Sequence, residues 1–97
     1  MLEMSFKTKF LRDLEERLPD VDLDFIDTRP KQRSYPDTFV IGPSFWAALE
    51  FKRAKRASHQ PNQDYYVVHF RKKGYSNFVY PENAEEVMND LEKLFTP

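Results

Sequence analysis

Thr38-Phe39-Val40-Ile41-Gly42-Pro43-Ser44-Phe45-Trp46-Ala47-Ala48-Leu49-Glu50-Phe51-Lys52 is the stretch whose reading decides the fold. Two runs rich in β-branched, aromatic and aliphatic residues, 38–41 and 45–51, flank Gly42-Pro43, a pair that stops a strand. This pattern predicts a β-hairpin. Strand side chains alternate faces, so Glu50 and Lys52 share one face while Leu49 and Phe51 take the other. Asp37 opens the first strand directly after Pro36, and hairpin pairing would set it across from the Glu50–Lys52 end. Two carboxylates and an ammonium are therefore expected on one patch.

Outward from the hairpin, the rest of the chain falls into recognisable elements. Leu2, Phe6, Phe10, Leu14 and Leu18 recur every four residues, with Leu11 beside them, and Pro19 ends this amphipathic helix. Val21, Leu23 and Phe25 alternate with Asp22 and Asp24, which predicts a half-buried strand. Residues 29–34 are polar and basic, a loop. After the hairpin, Pro61 suits the first position of a helix running through Tyr66, Val67 and Phe70, with Lys72 and Lys73 in its last turn and Gly74 as its cap. Residues 75–80 form a further strand. Asn83, with Glu86 three residues later, is an N-cap arrangement, and Val87, Met88, Leu91, Leu94 and Phe95 give the closing helix its buried face. The order αβββαβα predicts an α/β or α+β fold, a mixed central sheet flanked by helices, as a single domain over residues 1–97.

The chain is 40% hydrophobic and 15% aromatic, so large rings are expected to fill a small interior. The absence of cysteine excludes disulfides and thiolate metal sites. No stretch approaches the ~20 apolar residues that span a bilayer, and the start lacks a signal-peptide pattern, so a cytoplasmic protein without membrane contact is expected. The net charge of −1 hides an asymmetry. Residues 29–73 hold ten Lys and Arg against three acids, a local excess of seven positive charges, while the two flanks together carry minus eight. A basic middle can attract a polyanion, although a charged surface is also simply well solvated.

Asp37, Glu50 and Lys52 are the residue types that phosphodiester hydrolysis requires. Two carboxylates bind Mg²⁺ or Mn²⁺, which activates water and offsets charge growing on phosphate oxygens. The carbonyl of Phe51 would complete the shell, and a lysine orients water or stabilises the transition state. A Glu-x-Lys on a strand is also a common cross-strand ion pair, and Pro-Asp a common turn. What favours chemistry here is Glu50, which interrupts an apolar run where a buried carboxylate needs a partner. Two like charges so close should crowd one another, so removing one is expected to stabilise the metal-free chain. Trp46 shares the face of Glu50 and could floor the site, with packing the more ordinary role.

Pro36-Asp37 followed by Glu50-Phe51-Lys52 resembles the signature of the PD-(D/E)xK nucleases, which share the restriction-endonuclease-like fold. The chain is more closely similar to small phage-encoded nucleases of the VRR-NUC type. The likeness runs through Glu3-Met4-Ser5-Phe6, Gln32, Pro36-Asp37, Trp46-Ala47-Ala48-Leu49-Glu50-Phe51-Lys52, His59-Gln60-Pro61-Asn62-Gln63-Asp64-Tyr65-Tyr66-Val67 and Tyr80-Pro81-Glu82-Asn83. It covers nearly the whole chain in order. Family members usually carry Gly shortly before Pro-Asp, where this chain has Arg33-Ser34-Tyr35.

The resemblance implies a Mg²⁺-dependent DNA endonuclease, with Mn²⁺ as a substitute, in which Asp37, Glu50 and the Phe51 carbonyl bind metal. Lys52 is the implied catalytic lysine, Gln63 a site residue from the second helix, and Glu3 a further carboxylate from the first, where Glu15 or Glu16 could serve instead or no acid at all. In such an enzyme Lys31, Arg33, Arg53, Lys55 and Arg56 would hold DNA phosphates without reading bases, and His59 could touch phosphate, an exposed loop histidine being the more ordinary reading. Branched DNA such as a Holliday junction, a homodimer, and the cytoplasm of a host cell belong to the same implied picture. The alternative is a non-catalytic DNA-binding module on the same fold, but such a module would be expected to have lost Asp37, Glu50 or Lys52. A structural protein with a surface ion-pair patch would leave Glu50 unexplained.

Overall fold

A computed structural model of the chain describes residues 3–29, 34–59 and 62–96, with the side chains of Glu3 and Met4 excepted. Its elements are α1 (Glu3–Arg17), β1 (Asp24–Asp27), β2 (Thr38–Ile41), β3 (Trp46–Phe51), α2 (Gln63–Arg71), β4 (Tyr75–Val79) and α3 (Ala84–Phe95). This is the expected α+β order, and the sheet is mixed, in the order β1-β2-β3-β4. The pairs β1–β2 and β2–β3 are antiparallel, and β4 runs parallel to β3 across the α2 crossover.

The predicted helix stripe is the core. Phe6, Phe10, Leu14 and Leu18 are all buried, and with Val87, Met88, Leu91 and Phe95 of α3 they cover one face of the sheet through Val40, Ala47, Leu49, Phe51 and Val79. Phe51 meets the rings of Phe6 and Phe10 edge-on at 6.0 and 5.5 Å. Each large side chain fully withdrawn from water here contributes ~1.5–3 kcal/mol. On the opposite face α2 packs through Val67 and Phe70, the latter edge-on to Phe39 and Trp46. Trp46 also stacks on Phe39 at 6.0 Å, so its role is packing. Covered on both faces, β3 is buried from Ala47 through Phe51, and Glu50 is buried with it.

Four local expectations are corrected. The first strand begins at Asp24 rather than Val21, because β1 pairs only with the four residues of β2, Asp24 lying opposite Ile41. Val21 and Leu23 still pack on the core, which accounts for the alternation that suggested a longer strand. Helix α2 starts at Gln63, after an Asn62 in the left-handed region at φ 72°, a conformation Asn tolerates better than most residues. Pro61, expected at the first helical position, lies outside the described residues. Gly74 does not cap α2 with a positive φ. It is needed for space, since a Cβ there would sit 2.7 Å from the Trp46 ring.

Asn83 does precede α3, but its side chain makes no helix cap. It instead accepts from the Tyr80 N–H and donates to the Phe78 carbonyl. Together with Arg71, whose Nε donates to the Ser76 carbonyl, it closes much of the outer edge of β4. The opposite edge, β1, is four residues long and carries Asp24 and Asp27. Among the described residues no helix is long and apolar enough to cross a membrane.

Candidate active site

The hairpin register sets Thr38 opposite Leu49, so Asp37, one residue outside the ladder, falls beside Glu50. The two are tied directly. The Asp37 N–H donates to Glu50 Oε1 at 3.1 Å, and the Phe51 N–H donates to Asp37 Oδ2 at 3.1 Å. An extended residue presents its N–H and C=O to the same neighbouring strand, so the Phe51 carbonyl is directed to the Asp37 side as well. The hydroxyl of Thr38 donates to Asp37 Oδ1 at 2.6 Å.

Lys52 follows β3, and its backbone is held by an N–H bond to the Val79 carbonyl of β4. Its ammonium donates to Gln63 Oε1 at 2.6 Å and to the Ser58 carbonyl at 3.2 Å, and lies 3.8 Å from Glu50 Oε2. Gln63, the first residue of α2, donates in turn from Nε2 to Glu50 Oε2 at 3.1 Å. The chain Asp37–Glu50–Gln63–Lys52 is thus continuous, and these four residues are only 4–6% exposed. Burial at this depth is tolerated by charged groups only when they are paired and hydrogen-bonded, as these are.

Sequence reasoning missed a second cation. Lys7, on α1, reaches over the end of the sheet, its ammonium 3.3 Å from Asp37 Oδ1 and 4.0 Å from Asp27 Oδ2. It also lies 6.0 Å from the centroid of the Phe51 ring. The only signal in the sequence is its place beside Phe6 in the α1 stripe, which does not specify a partner. Asp27 is itself gripped by Arg29, and that guanidinium holds its carboxyl well below the usual carboxylate range.

Comparison with models of protein families, with curated proteins and with solved structures finds no match. The site must therefore be read from its own chemistry. Asp37 and Glu50 are the residues whose oxygens could hold a hard cation, with the Phe51 carbonyl on the same side. Among the described residues no cluster of three or more Asp, Glu or His forms a metal site. Glu3 is the first residue of α1, and its side chain lies outside the described residues, as do Lys31 and Arg33. Arg53, Lys55 and Arg56 are exposed in the turn leaving β3, and the Lys55 N–H donates to Glu82 Oε1 at 3.3 Å. His59 stacks on Phe78 at 4.4 Å, with Nδ1 2.7 Å from Asp64 Oδ1. Tyr35, directly before Pro36-Asp37, inserts its ring against Tyr66 and Phe70 of α2.

Proposed function

We propose that this chain is a metal-dependent DNA endonuclease that hydrolyses phosphodiester bonds at Asp37, Glu50 and Lys52. The observation that carries the reading is the buried circuit in which Gln63 holds Glu50 and Lys52 in fixed orientation, while Glu50 accepts from the main chain of the adjacent Asp37. A surface ion pair needs no such support, whereas a reacting centre depends on it. Bound between the carboxylates, Mg²⁺ or Mn²⁺ would supply Lewis acidity and a lowered water pKa.

The protein's own groups have distinct parts in this reading. Asp37 and Glu50 supply anionic oxygens, with the Phe51 carbonyl beside them. Lys52 presents its ammonium to water or to a non-bridging phosphate oxygen. Gln63 fixes Lys52 through one amide atom and Glu50 through the other. Arg53, Lys55 and Arg56 leave the sheet next to the site and would grip phosphates without reading bases. His59 would join them at the start of α2. From the family resemblance we extend the proposal to branched DNA, a homodimer and a cytoplasmic setting.

The test is incubation of purified protein with labelled linear, flap and four-way DNA in Mg²⁺, Mn²⁺ or EDTA. Cleavage is expected with either metal, none in EDTA, and none from Asp37→Ala, Glu50→Ala or Lys52→Ala. Near-wild-type cleavage by any of these variants, in a preparation free of host nuclease, refutes the assignment. Sedimentation at several concentrations tests the dimer.

A further inference from the structure

We infer that Lys7 is a built-in counter-ion of the candidate metal site. Its ammonium neutralises Asp37 in the metal-free protein and shifts toward Asp27 when a divalent cation takes up Asp37, so that Lys7 sets the metal affinity. This inference rests on the proposed metal site and adds the residue that regulates its occupancy.

The argument starts from the lone pairs of Asp37. Oδ1 accepts the Thr38 hydroxyl at 2.6 Å and faces the Lys7 ammonium at 3.3 Å, while Oδ2 accepts the Phe51 N–H. On the Oδ1 side an arriving cation therefore meets a bound hydroxyl and an ammonium, and competes with them for the oxygen. The longer contact is the one to Lys7. The ammonium also carries a positive charge that an incoming cation repels, which the neutral hydroxyl does not.

Lys7 has somewhere to go. Asp27 Oδ2 is already within 4.0 Å of Nζ, and Arg29 keeps that carboxyl anionic. The lysine side chain is 13% exposed, so its charge is poorly screened by water and strongly felt at Asp37. In the metal-free state the site has two carboxylates and two ammoniums, Lys7 and Lys52, and is balanced. Cation binding upsets that balance unless one ammonium is drawn off, and Lys52 is pinned by Gln63 and Ser58.

The test is Mn²⁺ binding to the full chain, by calorimetry and by the spin resonance of free Mn²⁺, with no DNA and no turnover. It compares wild type, Lys7→Met, Asp27→Asn and the double variant, with Asp37→Asn to locate the site. Lys7→Met is expected to bind Mn²⁺ roughly tenfold more tightly, with a larger rise in melting temperature on adding metal. Asp27→Asn should bind about threefold more weakly, because Lys7 loses its second anionic partner. That weakening should largely vanish in the double variant, an interaction a purely structural lysine would not produce. Lys7→Gln gives the same comparison should the Met variant fold poorly.

Equal affinity in wild type and both Lys7 variants, with binding abolished by Asp37→Asn, overturns the counter-ion role and leaves the metal site standing. Weaker binding on removing Lys7 overturns it too and assigns the lysine to scaffolding. Absence of Mn²⁺ binding in every variant, or binding that survives Asp37→Asn, overturns the metal site and this inference with it.

Discussion

Asp37 receives a hydroxyl, a main-chain N–H and an ammonium, all from within the fold. Its charge is thus compensated, which reverses the expectation that removing a crowded carboxylate stabilises the metal-free protein. Asp37→Ala would strip acceptors from the Phe51 N–H and from a mostly buried Lys7. A loss of ~1–3 kcal/mol is expected, read by urea unfolding in EDTA. Asp37→Asn keeps an acceptor oxygen and should lose less. Greater stability for the Ala variant would restore the crowding picture. Asp37, Glu50 and Lys52 were legible in the sequence because strand parity and one tight hairpin fix their relative placement. Gln63 entered through the family resemblance, and the structure supplies its two amide contacts. Lys7 was not legible: its meeting with Asp37 depends on where α1 crosses the sheet, which local spacing does not encode.

The joint between β4 and α3 turns on Tyr75, whose hydroxyl donates to Asp90 Oδ2 at 2.9 Å. Burial, reinforced by the Asp90 charge, pushes its pKa up from 10.0 to about 12. Below the unfolded value both states keep the proton, and the contribution to stability is fully present. Above it the unfolded chain ionises first, so stability falls as pH rises through the folded value. Denaturant unfolding between pH 9 and about pH 12 should show this loss in wild type. Tyr75→Phe, though weaker at neutral pH for want of the Asp90 bond, should lack that part of the slope. An unchanged slope would mean Tyr75 ionises freely in the folded state. At this scale the sequence conveyed element type and order well and their ends less well. β1 is cut to the length of its partner β2, and Gly74 answers to a tryptophan 28 positions earlier in the chain, neither of which a local window contains.

Across the molecule, positive charge collects in the middle of the sequence and, in space, includes the exposed turn that leaves β3 beside the candidate site. Changing Lys55 and Arg56 together to Glu should weaken DNA binding for every sequence tested and flatten its dependence on salt. Sequence preference should not change, since neither residue lies on an element that could enter a groove. Binding as tight as wild type at low and high salt would direct the nucleic acid elsewhere on the basic segment.

The largely closed outer edge of β4 bears on how copies of this protein can meet. A strand from another molecule would find the Ser76 and Phe78 carbonyls already bonded to Arg71 and Asn83. On the far side it would meet a four-residue strand guarded by aspartates. Neither border offers a template for open-ended stacking. Light scattering at rising concentration should therefore level off at a small species rather than climb toward fibres, and the protein should tolerate crowding that would gel a sheet with bare margins.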